Sequence, residues 1–141
     1  MRVLITGGTG TVGREAVKRL VQHGYDVTVI GRTPDVEIEG GTYRQCDIVD
    51  FDCLTEYVQG MDAIVHLAAI PNPALGTGED IFYVNDTGTF NVYRAAANAG
   101  IRRIVSASSI NALGYNFGVK RFELQYFPMD EAHPSYTTDP Y

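Results

Sequence analysis

The chain has 141 residues, 45% of them apolar and 20% charged, with 11 Lys and Arg against 17 Asp and Glu and a net charge of −6. That length can bury the core of one domain, and the composition argues against disorder. The acidic balance provides no field to gather a phosphate polymer, which excludes a general nucleic-acid binder. No run approaches the roughly 20 apolar residues of a membrane span. The first residues enter a strand pattern directly, with no signal-peptide character. Cys46 and Cys53 are too few and too casually spaced for a disulfide scaffold or a zinc site, and are expected as reduced thiols in a cytoplasmic protein.

Short apolar runs alternate with helical patterns along the chain. Val3-Leu4-Ile5 reads as a strand buried on both faces and leads into Thr6-Gly7-Gly8-Thr9-Gly10-Thr11-Val12-Gly13. A helix follows, with Val12, Ala16 and Leu20 on one stripe, stopped at Gly24. Val27 to Ile30 is a second buried strand, ending at Gly31-Arg32. A loop spans Thr33 to Gly41, and Thr42 to Cys46 is a weaker third strand ending at Asp47-Ile48. Phe51 to Val58 is a short helix, Ala63 to Ala68 a fourth strand, and Ile70 to Gly78 a loop. Glu79 to Ala99 reads as one long helix, stopped at Gly100, and Ile101 to Ala107 as a fifth strand. From Gly114 to Tyr141 the chain is aromatic-rich, interrupted by Pro and without period. This tail is read either as an irregular cover for the sheet edge or as a substrate-facing loop.

Strands alternating with helices define β-α-β units, and right-handed crossovers place the helices on both faces of a parallel sheet. The expected fold is therefore α/β, a doubly wound parallel sheet of the Rossmann type in strand order 3-2-1-4-5. Residues 1–141 read as one domain.

Gly7, Gly10 and Gly13 stand between a strand and a helix, the context that gives a glycine triplet meaning. The first permits a tight turn, the second lets backbone approach a pyrophosphate, and the third lets the helix close on the strand. The amides that open the helix, at Thr11, Val12 and Gly13, then face the phosphates. After the second strand, where a carboxylate usually binds ribose hydroxyls, stands Arg32. A guanidinium can pair with a ribose phosphate, so Arg32 leans the cofactor toward NADP over NAD, unless it is a solvent-exposed strand-end residue or stacks on adenine.

These residues resemble the cofactor motif of the extended short-chain dehydrogenases/reductases, the NAD-dependent epimerase/dehydratase group, which acts mainly on nucleotide sugars. Further stretches are similar in the same order. Asp47-Ile48 resembles the pair whose Asp holds the adenine amino group, although Asp47 could also cap the next turn. His66-Leu67-Ala68-Ala69 resembles the segment whose backbone passes the adenosine ribose; His66 itself reads as a satisfied core residue rather than a base. Asn85 resembles the Asn of the long helix, with a structural bridging role as the alternative. Ser108-Ser109 resembles the pair that carries the catalytic hydroxyl, with Ser109 the counterpart, though both could simply end the strand. Asp139-Pro140-Tyr141 resembles the lead-in to a Y-x-x-x-K helix.

The resemblance implies that Ser109 holds the substrate oxygen and that Tyr141 exchanges a proton while hydride moves to or from the nicotinamide. A free Tyr titrates near pH 10 and is a poor base at neutral pH, so a Lys one helical turn on must lower it. That Lys position lies past Tyr141, as do the sixth strand and the substrate region. The chain is therefore expected to be the cofactor-binding part of a longer oxidoreductase or epimerase/dehydratase, inactive as it stands. Its expected partners are a sugar or nucleotide sugar and a second copy of itself through the 79–99 helix, with no nucleic acid, membrane or metal. A non-catalytic NAD(P)-sensing domain is the rival reading.

Overall fold

The computed structural model describes residues 1–114 and 123–136. Five strands form one parallel sheet: β1 (Arg2–Thr6), β2 (Asp26–Gly31), β3 (Thr42–Gln45), β4 (Ala63–His66) and β5 (Ile104–Ser106). The sheet order is β3-β2-β1-β4-β5, as the sequence implies. β1 pairs with β2 on one side, Ile5 opposite Val29, and with β4 on the other, Ile5 opposite Val65. The winding reverses between β1 and β4, which opens a crevice at the carboxyl ends of the strands.

The apolar runs are continuous because both faces of the sheet are covered. On one face Val3, Ile5, Val27 and Val29 pack with Val17 of α1 (Thr11–Gln22). On the other, Leu4, Ile30 and Ile64 pack with Leu54 of α2 (Phe51–Tyr57) and with Val92, Ala95 and Ala96. The last three belong to α4 (Gly88–Asn98). Asp50 starts α2 by accepting a hydrogen bond from the Cys53 amide.

The long helix expected over Glu79–Ala99 is three segments. A capping box of Thr77 and Asp80 starts α3 (Gly78–Phe82), a π turn covers Tyr83–Thr87, and α4 follows. The two hydrogen bonds from Thr77 hold the Asp80 carboxyl below its ordinary range. A 3.6-residue period carries no mark of the extra residue that a π turn inserts. The loop after β4 also holds a short 3-10 turn at Pro73–Leu75.

Cys46 and Cys53, expected as separate reduced thiols, are joined as a disulfide. The turn between β3 and α2 brings them together, and a seven-residue spacing does not reveal that turn.

Within the tail, residues 123–136 close around His133, which is buried. Its Nε2 accepts from the Gln125 amide and its Nδ1 donates to the Pro134 carbonyl. Tyr126 donates to Asp130, which lowers the pKa of Asp130 and raises that of Tyr126. The Tyr136 amide bonds to the Leu113 carbonyl and the Ser135 hydroxyl to the Ala112 carbonyl, which anchors the turn to residues 110–113.

Candidate functional site

The crevice at the switch point is a cleft with three walls. The glycine loop and the start of α1 form the first, from Gly7 through Thr9, Gly10, Thr11, Val12 and Gly13. The ends of β2 and β3 form the second, with Ile30, Gly31, Arg32, Thr33, Cys46, Asp47 and Ile48. The segment leaving β4 forms the third, with Leu67, Ala68, Ala69 and Pro71, and Val84 closes it.

Sterics shape the first wall. Gly7 has φ +71°, and a Cβ there would lie 2.6 Å from the Leu67 carbonyl carbon. The loop is thus pressed against the segment leaving β4 in a conformation that suits glycine. A Cβ on Gly13 would overlap the Gly7 carbonyl oxygen and lie 2.7 Å from the Gly8 Cα. Gly10 differs: it is exposed, and a Cβ there would meet only the Gly7 oxygen, at 3.3 Å. Gly10 caps α1 without a side-chain hydrogen bond, and the first turn carries no acidic residue. Arg14 steadies the loop by donating from Nε to the Thr9 carbonyl, at 2.9 Å.

The first-turn amides of α1 therefore lie at the cleft with no carboxylate beside them in that turn. Backbone N–H groups and a positive helix end suit an anion of pyrophosphate size, so the cradle fits the phosphates of a dinucleotide.

Buried hydrogen bonds fix the third wall. The Thr6 hydroxyl oxygen accepts from the amides of Leu67 (3.3 Å) and Ala68 (3.2 Å) and lies 2.7 Å from His66 Nδ1. With two amides donating to that oxygen, its own proton points at Nδ1. The His66 proton then sits on Nε2 and is donated to the Thr89 hydroxyl of α4, at 3.0 Å. His66 is thus a satisfied core residue, with only 5% of its surface exposed.

Burial lowers the His66 pKa. Its folded value lies below the unfolded one, near 6.5, so its contribution is complete above about 6.5 and lost as pH falls through the folded value. Stability is expected to drop by up to about 1.4 kcal/mol per pH unit in that window from this group. Thermal unfolding of the wild type and His66→Gln between pH 7.5 and 5.5 checks this, the variant showing the shallower loss. Equal losses in both chains would remove His66 from the account.

Eleven of the twelve residues expected at the cofactor line this cleft, and the exception is Asn85. Its side-chain oxygen accepts from the Ile70 amide at 2.7 Å, and its side-chain nitrogen donates to the Ile70 carbonyl at 3.2 Å. Its neighbour Val84 lines the cleft instead. The Asp47 carboxylate accepts from the Val49 amide at 3.2 Å and also lines the cleft. The sequence reading missed Thr9, Ile30, Gly31, Thr33, Cys46, Pro71 and Val84, most of them immediate neighbours of residues it named. Ser109 is exposed and starts a 3-10 turn (Ile110–Leu113), its hydroxyl oxygen accepting from the Asn111 amide at 3.1 Å. Tyr141 lies outside the described residues. Among the described residues no cluster of three His, Cys, Asp or Glu is placed to hold a metal, and no helix is long and apolar enough to cross a membrane.

A doubly wound parallel sheet with a glycine-rich βα turn at its switch point is a dinucleotide-binding fold of the Rossmann type. The chain belongs to the NAD dependent epimerase/dehydratase family, whose profile matches residues 3–141. It is 44% identical over 108 residues to L-arabinose 1-dehydrogenase (NAD(P)(+)) from Haloferax volcanii, covering 77% of this chain and 41% of that protein. Uronate dehydrogenase from Pseudomonas putida is 31% identical over 118 residues, with 81% of this chain and 42% of that one covered. Among solved structures, a short-chain dehydrogenase/reductase superfamily protein from Agrobacterium tumefaciens with bound NAD superposes over all of this chain and 40% of its own. Its TM-score is 0.84 and its identity 31%. The chain thus spans about two fifths of the relatives it matches.

Proposed function

We propose that the chain is the dinucleotide-binding part of an NAD(P)-dependent oxidoreductase or epimerase acting on a sugar hydroxyl or carbonyl. The observation that carries this is the glycine loop folded against the segment leaving β4, with the α1 amides at the cleft. In this reading Gly7, Gly10, Thr11, Val12 and Gly13 hold the pyrophosphate and Arg32 the ribose end. Asp47 and Ile48 hold the adenine, and Leu67, Ala68 and Ala69 pass the ribose. Asn85 acts as a positioning residue, fixing the backbone at Ile70. A bound nicotinamide supplies or accepts hydride. The Ser109 oxygen accepts from an amide, which leaves its hydroxyl proton to donate to a substrate oxygen. Tyr141 would exchange a proton with that oxygen in the whole protein, and the chain as it stands would bind cofactor without turnover. The relatives that act on L-arabinose and uronate favour a free sugar over a nucleotide sugar. We extend the reading to a cytoplasmic location, where dinucleotide is supplied.

Arg32 is exposed at the cleft rim, and a guanidinium there favours a ribose phosphate. Arg32→Asp is expected to move the NADP/NAD affinity ratio toward NAD by roughly tenfold or more, since it removes a charge-assisted partner and adds a repelling one. Titration of both dinucleotides into both chains reads the ratio, and an unchanged ratio removes Arg32 from phosphate recognition.

The reading also includes self-association. Phe82, Tyr83, Phe90 and Tyr93 are all exposed on the α3–α4 path, and Val105 is 65% exposed on β5. An aromatic surface of this kind suits a second copy of the chain. Sedimentation is expected to show a dimer or larger species that Phe90→Glu dissociates; a monomer at all concentrations would refute it.

A further inference from the structure

We propose that Cys46 and Cys53 form a reversible dithiol–disulfide couple in the wall of the cleft, and that closing it tightens dinucleotide binding. The proposal rests on the dinucleotide reading of the cleft given above. The chain has two cysteines, and they are joined, with Cα atoms 6.0 Å apart, inside the span that a disulfide bridges. Cys46 lines the cleft between Gly31 and Asp47. Its surface is 4% exposed, whereas Cys53, in the first turn of α2, is half-buried. The pair therefore has a less buried residue, Cys53, where exchange would begin, and a buried one, Cys46, in the ligand wall.

The segment between the two carries Asp47 and Ile48, both at the cleft. Hydrogen bonds hold it: Asp47 accepts from the Val49 amide, and Asn91 of α4 donates to the carbonyls of Ile48 (3.2 Å) and Val49 (3.1 Å). The disulfide adds a covalent tie from the end of β3 to α2. A wall fixed before the ligand arrives loses less freedom on binding, so the closed form binds more tightly. A domain with a core on both faces of its sheet has little need of a staple. In a reducing compartment such a bond is transient and tied to redox sensing.

The chemistry balances with a low-molecular-weight disulfide as the oxidant. The Cys53 thiolate attacks one of its sulfurs, breaks its S–S bond and expels a thiolate, which takes up a proton to become one thiol. The Cys46 thiolate then attacks the Cys53 sulfur of the mixed disulfide, forms the Cys46–Cys53 bond and expels the second thiol. Two cysteine thiols are oxidised and one small disulfide is reduced to two thiols. By linkage, bound dinucleotide raises the closed-to-open ratio by the same factor by which closing raises affinity.

The test treats the chain with reduced glutathione or with glutathione disulfide, counts free thiols, and titrates NAD and NADP into each form. The same treatments are applied to Cys53→Ser, which keeps the cleft-lining Cys46. The expected result is loss of both thiols on oxidation and an affinity at least about twofold higher than in the reduced chain, with no response in Cys53→Ser. Thiols that stay free under glutathione disulfide, or an affinity that rises by less than about twofold or falls, would overturn the proposal and leave the cleft reading intact. Failure of every form to bind either dinucleotide would overturn the cleft reading and this proposal together.

Discussion

Gly13→Ala is expected to lower the melting temperature by roughly 10 °C, from an overpacking cost on the order of 3 kcal/mol. The added methyl would overlap the Gly7 oxygen and press on the Gly8 Cα. Both are backbone atoms, and Gly7 is itself held against Leu67 and Ala68. The loop therefore has no flexible side chain to move aside. Relief requires α1 to withdraw from the sheet, where Val17 packs with Val3, Ile5 and Val29. Thermal unfolding of the variant checks this. A melting temperature within about 2 °C of the wild type would mean that α1 does not depend on this contact.

Gly10→Val is expected to do the opposite, leaving the fold and removing the ligand. Gly10 has φ −76° and ψ 174°, extended backbone open to any residue, and a Cβ there meets only the Gly7 oxygen at 3.3 Å. Val at this N-cap costs on the order of 1 kcal/mol, so the melting temperature should fall by only about 3–4 °C and the variant should stay folded. The branched side chain would stand over the α1 amides, where the reading places the pyrophosphate. A clash on the order of 3 kcal/mol weakens binding by about 100-fold. The two substitutions thus separate folding from ligand binding at glycines three residues apart.

The continuous apolar runs at Val3-Leu4-Ile5 and Val27 to Ile30 made the central strands legible, because strands covered on both faces need apolar residues at every position. The alternation with helices implied the parallel sheet, and the strand order came with the glycine loop and the resemblance built on it. The strand ends were less visible. β4 stops at His66: the Leu67 amide still reaches the Thr6 carbonyl at 3.0 Å, but the Ala68 amide turns to the Thr6 hydroxyl, and β5 is only Ile104–Ser106. Of the residues lining the cleft, Gly7, Gly10 and Gly13 were legible from their place between a strand and a helix, whereas Asp47, Ile48, Leu67, Ala68 and Ala69 came only through the family resemblance. What escaped depends on contacts between distant segments. Nothing in the spacing of Tyr83–Thr87 marks the π turn, and nothing near Asn85 shows that Ile70 lies beside it. The pairing of Cys46 with Cys53 depends on how β3 turns into α2, which seven residues of sequence do not specify.

The cleft at the switch point is expected to hold a dinucleotide. Calorimetric titration of NAD and NADP into the wild-type chain and into Gly10→Val tests it most directly. The expected result is saturable one-to-one binding by the wild type and a loss of about 100-fold in a variant that remains folded. Equal binding by the two chains, or no binding by a folded wild type, would contradict it.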